Sequence, residues 1–216
     1  MHIKKIIRAL SPPIFYKAYG FLKKAIQTPE PEKLFDGDEE VFKEIISSAK
    51  IYAEYGCGAS TIWVFNHTQC EIFSVDSSEL WLGSVARECG NSKRLNLHFA
   101  NVGKIKDWGT PSNYENHQNF NDYTDWIWEQ NVSPDVVLVD GRFRVCCFLT
   151  SLLRAQEGTR LVFDDYINRE EYHIVEKFIK PVKTCGRQAL FIVPNKATLD
   201  LPELETFIKH FRFVFD

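Results

Sequence analysis

One stretch constrains the fold more than any other: Ile51-Tyr52-Ala53-Glu54-Tyr55-Gly56-Cys57-Gly58-Ala59-Ser60-Thr61. A short run rich in apolar residues reads as a strand; an acidic residue and two glycines one position apart follow it. Residues 59–66 then read as a helix. Strand, tight turn and helix N-terminus in that order form the unit on which doubly wound α/β folds hold a nucleotide-like ligand at the carboxyl ends of their strands. Glycine suits a sharp turn and lets a ligand approach bare backbone. An ordinary strand-to-helix turn uses the same residues, so the loop decides nothing alone.

Two ligand classes use this turn. A dinucleotide binder wants a third glycine, in the spacing G-x-G-x-x-G, and here that position is Thr61. Glu54 would also repel a pyrophosphate. An acidic residue before Gly-x-Gly suits a cationic ligand such as S-adenosylmethionine.

The chain of 216 residues fits one domain with a full core and a short appendage. Its net charge of −3 gives no global basic field of the kind nucleic-acid binding favours. No apolar run reaches the ~18 residues of a membrane span, and residues 1–28 lack a clean secretory pattern. The six cysteines, at 57, 70, 89, 146, 147 and 185, show no C-x-x-C spacing. They read as reduced thiols of a cytoplasmic protein.

Residues 1–28 carry Lys4, Lys5, Arg8, Lys17, Lys23 and Lys24 and no acid, interleaved with apolar and aromatic residues. Ser11-Pro12-Pro13 splits them into two amphipathic pieces. This composition suits an arm touching a membrane surface, at its cytoplasmic face; an arm packed on protein is the alternative. Residues 28–38 read as a linker, so the expected organisation is an arm and linker over 1–38 and a domain over 39–216. Asp38 is placed to cap a helix over 39–50.

Residues 70–76 read as a second strand ending in Asp76, twenty positions beyond Gly56. A carboxylate there can accept hydrogen bonds from both ribose hydroxyls, and it can equally cap a helix over 78–88. Residues 95–100 read as a third strand. The polar and aromatic segment 104–120 lacks periodicity and exceeds ordinary connection lengths, which points to a cover over the site. A helix over 122–130 follows.

The run from Pro134 to Asp140 is almost continuously apolar, as a central parallel strand should be. A helix over 145–154 and a strand over 159–163 come next, and that strand ends in Asp164-Asp165-Tyr166. Adjacent strands ending in acids place Asp140, Asp164 and Asp165 in one crevice, where like charges resist burial. A divalent cation such as Mg2+ resolves that cost; so does pairing of Asp140 with Arg142 or Arg144. The tail reads as a helix over 170–179, an antiparallel hairpin over 182–194, a helix over 201–209 and a strand-like end.

Together, Glu54-x-Gly56-x-Gly58-x-Ser60, Asp76, Asp140-Gly and Asp164-Asp165-Tyr166 resemble the class I S-adenosylmethionine-dependent methyltransferases over residues 40–195. Within them, the acid arrangement is similar to the metal-dependent sugar O-methyltransferases of the macrocin O-methyltransferase type. The resemblance implies a Rossmann-like, doubly wound, mostly parallel sheet with a C-terminal antiparallel hairpin. It implies Glu54, Gly56, Cys57, Gly58, Ser60, Asp76 and Ser77 as cofactor contacts and Asp140, Asp164 and Asp165 as Mg2+ ligands. Asp140 and His117 are the candidate catalytic groups, with His173 a further candidate base; Arg142, Arg144 and Tyr166 would meet the acceptor. The run Asp140-Gly-Arg-Phe-Arg departs from that family, and its arginines would hold an anionic acceptor group or stand in for the metal.

The implied activity is O-methylation of a sugar, glycan or related small molecule, aided by a divalent metal. A non-catalytic binding module beside glycan-assembly enzymes is the alternative. A nicotinamide-dependent oxidoreductase is a third reading, opposed by Thr61 and Glu54.

Overall fold

The computed structural model describes residues 34–35 and 39–215. The arm expected over 1–28 and the cap expected from Asp38 lie outside the described residues. Leu34–Asp216 forms one unit.

Seven strands make one sheet in the order β3-β2-β1-β4-β5-β7-β6. They are β1 (Ile51–Tyr55), β2 (Glu71–Asp76), β3 (Leu95–Phe99), β4 (Val136–Val139), β5 (Arg160–Phe163), β6 (Lys183–Cys185) and β7 (Gln188–Ile192). The first five are parallel; β7 runs antiparallel to β5 and to β6. Helices α1 (Glu40–Ile46), α2 (Ala59–His67), α3 (Glu79–Cys89), α4 (Phe120–Glu129), α5 (Arg144–Arg154) and α6 (Leu201–Phe211) fill the crossovers and the tail. This is the α/β architecture expected, hairpin included.

Strand alternation sorts the core into two layers. Ala53, Tyr55, Val137, Val139, Leu161 and Phe163 pack with α4, α5 and α6. Tyr52, Ile72, Val136, Leu138 and Val162 pack with Phe42, Ile45 and Ile46 of α1 and Val64 of α2. All four residues of β4 are buried, which is why its sequence is unbroken by polar residues. At α6 the Asp200 carboxylate accepts the Glu203 N–H at 3.0 Å and Pro202 occupies the first turn, both favoured at helix starts.

Several local expectations differ. Glu39 stands at the N-cap position of the first helix without a side-chain capping bond, its carboxylate accepting the Leu34 N–H at 2.6 Å instead, and the helix is shorter than its apolar spacing suggests. Glu170–Lys177 is 3-10 rather than α-helical. The end of the chain forms no strand: Phe213 and Val214 turn back by i→i−3 bonds, and Phe215 joins Phe120 and Phe143.

The β1 and β4 turns meet directly. Gly56 has φ +90, and a Cβ there would lie 2.7 Å from the Gly141 Cα. A Cβ on Gly141 would overlap the Tyr123 hydroxyl and sit 2.7 Å from the Gly56 nitrogen. Gly58, with φ 172, has open space where its Cβ would be. Gly56 is therefore glycine because of its own chain, and Gly58 is the residue that leaves room. Gly56→Ala and Gly141→Ala should each cost roughly 3–5 kcal/mol through strain and overlap, lowering Tm by about 10 °C. Gly58→Ala should move Tm by no more than about 2 °C; thermal unfolding followed by circular dichroism checks the contrast.

Candidate active site

The carboxyl ends of β1, β2, β4 and β5 carry the predicted groups, and the structure separates those that face the crevice from those that do not. Glu54 does not face it. It shares a strand face with Tyr52, is fully buried, and accepts hydrogen bonds from Tyr52 Oη at 2.7 Å, Ser60 Oγ at 2.8 Å and Thr61 Oγ1. Burial raises its pKa and these hydroxyls partly offset the rise. The expected cofactor contact through Glu54 is corrected: period-two alternation turns it inward, where it ties β1 to the first turn of α2. Ser60 is spent on the same carboxylate.

Asp76 holds the turn from outside. Its Oδ2 accepts the Cys57 N–H at 2.9 Å and its Oδ1 the Ser78 N–H at 2.7 Å, so one carboxylate fixes both the glycine turn and the start of α3. Burial raises its pKa, opposed by those two amides and by Arg142. Burial likewise pushes up the Cys57 thiol, so it is a neutral residue of the turn. Ser77 Oγ donates to the Gly109 carbonyl at 2.7 Å, beneath the hairpin of residues 104–112.

The three acids at the ends of β4 and β5 do come together, and three arginines meet them. Arg144, 4% exposed, reaches Asp140 Oδ1 at 3.0 Å and Asp165 Oδ2 at 3.1 Å, and donates to the carbonyls of Gly141 and Asp164. Arg187 bonds Asp164 at 2.6 Å and Asp165 at 3.3 Å; Arg169 bonds Asp165 at 3.0 Å. Asp164 also accepts from Gln188 Nε2 at 3.0 Å. Burial tends to neutralise Arg144, but the surrounding carboxylates reverse this and hold it protonated.

A divalent cation does not fit this cluster. Each carboxylate already faces a guanidinium, and no group of three His, Cys, Asp or Glu among the described residues is arranged to hold a metal. The expectation of Mg2+ on Asp140, Asp164 and Asp165 is therefore replaced by charge pairing. Asp140 differs from its neighbours: its side chain remains 27% exposed. Burial first, then the adjacent Asp164, push its pKa well above the usual carboxylate range against the pull of Arg144.

Other assignments also change. Arg144 is committed to the cluster and cannot meet an acceptor. Tyr166 is 1% exposed and donates to Glu176 Oε1 at 2.7 Å, so it faces the core and α-side loops rather than substrate. His117 is exposed, with Nδ1 2.9 Å from the Tyr114 carbonyl and its ring beside Phe213. It packs on the chain's end rather than at the acid cluster. His173 is bound to the Tyr166 carbonyl at 3.0 Å. Arg142 stays at the rim: its N–H donates to Tyr123 Oη at 3.0 Å and its Nη1 to Thr110 Oγ1 at 3.3 Å.

Arg169, Arg187 and Tyr123 were not foreseen. The antiparallel register that sets Phe163 opposite Ala189 brings the turn that carries Arg187 beside Asp164 and Asp165, a signal available once that pairing is known.

No family model matches the chain, and no curated protein matches it. Among solved structures, a methyltransferase-like protein from Silicibacter pomeroyi is 30% identical over 82% of this chain and 97% of its own, with a TM-score of 0.69. The chain belongs to the class I S-adenosylmethionine-dependent methyltransferases. A Klebsiella pneumoniae protein assigned as an O-methyltransferase is 15% identical over 89% of this chain and 95% of its own, TM-score 0.50, a likeness of fold alone. MycE, a methyltransferase of the mycinamycin biosynthetic pathway solved with Mg, matches over 59% of this chain and 30% of its own at 15% identity and TM-score 0.39. That is too slight to carry a metal or an acceptor across.

Gly58 leaves open space beside the start of α2, and Asp76 is the carboxylate at the end of β2. Among the described residues no helix is long and apolar enough to cross a membrane.

The acid–arginine cluster yields two expectations. Arg144→Met strands Asp140, while Asp165 keeps Arg169 and Arg187, and should cost roughly 3–5 kcal/mol. Asp140, whose folded pKa is raised already, would rise further; such a group favours the folded state at low pH and loses that contribution as pH rises through its folded value. The deficit in Tm should therefore grow as pH rises through the range in which the folded Asp140 loses its proton, and a deficit independent of pH across that whole range would contradict the pairing. Separately, millimolar Mg2+ should leave the wild-type Tm within about 1 °C, as expected where a ligand has no site on the folded state.

Proposed function

We infer that this methyltransferase transfers a methyl group from S-adenosylmethionine to a hydroxyl of a polar, sugar-like acceptor, without a metal, using Asp140 as the proton acceptor. The observation that carries this reading is Asp140 itself. It is the one member of the acid cluster with an oxygen pinned by a single arginine and a side chain still 27% exposed at the end of β4. A hydroxyl is a poor nucleophile until its proton has a destination, and a carboxylate with a raised pKa is a better base than an ordinary one.

The bound cofactor supplies an electrophilic methyl on a cationic sulfur. The chain's part is alignment: Gly58 leaves room beside the helix start, and Asp76 is the carboxylate available to ribose hydroxyls. Arg144 keeps the Asp140 carboxylate in one orientation, and Arg142 and Thr110 add donors at the rim. That polar border suits a polyhydroxylated acceptor better than a flat apolar one.

Labelled S-adenosylmethionine incubated with a panel of glycosides and sugar nucleotides tests the reading. Transfer to an alkali-stable methyl ether is expected, with a rate that rises with pH as Asp140 loses its proton. Asp140→Asn should lower kcat by about 10²–10⁴-fold while changing the Kd for S-adenosylhomocysteine by less than about two-fold. Alkali-labile label, or an Asp140→Asn enzyme with unaltered kcat, would overturn it.

A further inference from the structure

The hairpin over residues 104–112 lies on the same rim. Ile105 and Pro111 form an antiparallel bridge, with Lys106 N–H donating to the Thr110 carbonyl and Ser112 N–H to the Lys104 carbonyl, both at 2.7 Å. At its tip Trp108 and Gly109 take consecutive left-handed conformations, φ 63 and 77. For tryptophan that backbone is unfavourable and needs outside support. The support comes from the β2 end and the β4 turn. Ser77 Oγ donates to the Gly109 carbonyl, Arg142 Nη1 donates to Thr110 Oγ1, and the Trp108 ring stacks against Trp81 of α3 at 6.4 Å between centroids.

The tip closes over the carboxylate beneath it. A Cβ on Gly109 would lie 2.6 Å from Ser77 Oγ and 3.8 Å from Asp76 Oδ1, so the hairpin backbone is packed against the β2 end. Asp76 is 8% exposed and Ser77 3% exposed under it. With Asp76 so little exposed and the hairpin tip packed beside it, a ribose that bonds Asp76 requires the tip to move.

The geometry points to residues 104–112 as a latch that must lift from Ser77 and Thr110's partner Arg142 before cofactor binds, with Ser77 the residue that sets how often it opens. This rests on the reading of Asp76 as a cofactor contact. Trp108 keeps 68% of its surface exposed, so lifting the tip uncovers little apolar area. Gly103, with φ 92 at the base of the hairpin, is a position where a glycine can absorb the backbone rotation. Among the described residues the closed form is held by side-chain hydrogen bonds from Ser77 and Arg142 and by the Trp81–Trp108 ring contact, and polar contacts of this kind suit a segment that opens locally.

Two measurements on the full chain test the latch. In ligand-free protein, deuterium uptake by residues 104–112 should rise on the order of five-fold in Ser77→Ala and in Thr110→Val, as expected when one hydrogen bond of the closed form is removed. In stopped-flow tryptophan fluorescence, the observed rate of S-adenosylhomocysteine binding to wild type should level off at high ligand, limited by opening. Both variants should raise that ceiling by a similar factor. Unchanged uptake together with rates that climb linearly and identically in all three proteins would overturn the latch and leave the cofactor site standing. Absence of binding in all three would overturn the cofactor reading, and the latch with it.

Discussion

The contact between the Gly56 and Gly141 backbones governs the rest of this structure. β1 and β4 are neighbours, yet the chain leaves them toward opposite faces of the sheet, into α2 on one side and α5 on the other. That divergence is the switch point at which doubly wound sheets open a crevice. It can be this tight only because neither turn carries a Cβ where the two meet. Around this contact the chain closes a ring of short-range ties. Gly56 N–H reaches the Val75 carbonyl, Asp140 N–H the Tyr55 carbonyl, and Tyr123 Oη takes the Arg142 N–H. Asp76 accepts the Cys57 amide, while Glu54 gathers hydroxyls from α2.

The second determinant is electrostatic. Three aspartates at the ends of two central strands would repel one another strongly in a poorly solvated setting. Arg144 comes from the adjacent helix start, Arg169 from the loop after β5, and Arg187 from the turn between β6 and β7. The charges balance without a metal, and the last hairpin becomes part of the site's frame. Phe143 stands beside them with φ 53, a conformation held by contacts with Phe120, Tyr123 and Phe215. Its position sends the Arg144 side chain back under the Asp140 turn. Neutralisation is incomplete where it matters: Asp140 keeps an exposed side-chain surface, and its high proton affinity follows from burial beside Asp164.

Much of this was legible in the sequence because it is local. Unbroken apolar runs at 136–139 and 161–163, the Gly-x-Gly turn and strands ending in acids are all read within a few residues. What escaped depends on tertiary pairing. No spacing announces that Arg187 lies beside Asp164, because the register of an antiparallel strand fixes it. Glu54 was within reach of the alternation rule, since Tyr52 and Glu54 share a face, but its place before two glycines suggested a ligand instead. The aromatic segment 104–120 was legible as a cover and not as a hairpin, because its bridge joins Ile105 to Pro111 without any strand pattern.

The account depends on one crevice, bounded by Gly58, Asp76 and Asp140, accepting a sulfonium nucleoside after residues 104–112 move aside. A crystal structure grown with S-adenosylhomocysteine tests that directly. It should show the ribose on Asp76, the sulfur on the Asp140 side of Gly58, and Gly109 withdrawn from Ser77. Ligand bound elsewhere, or an empty crevice at saturating ligand with the hairpin still on Ser77, would contradict it.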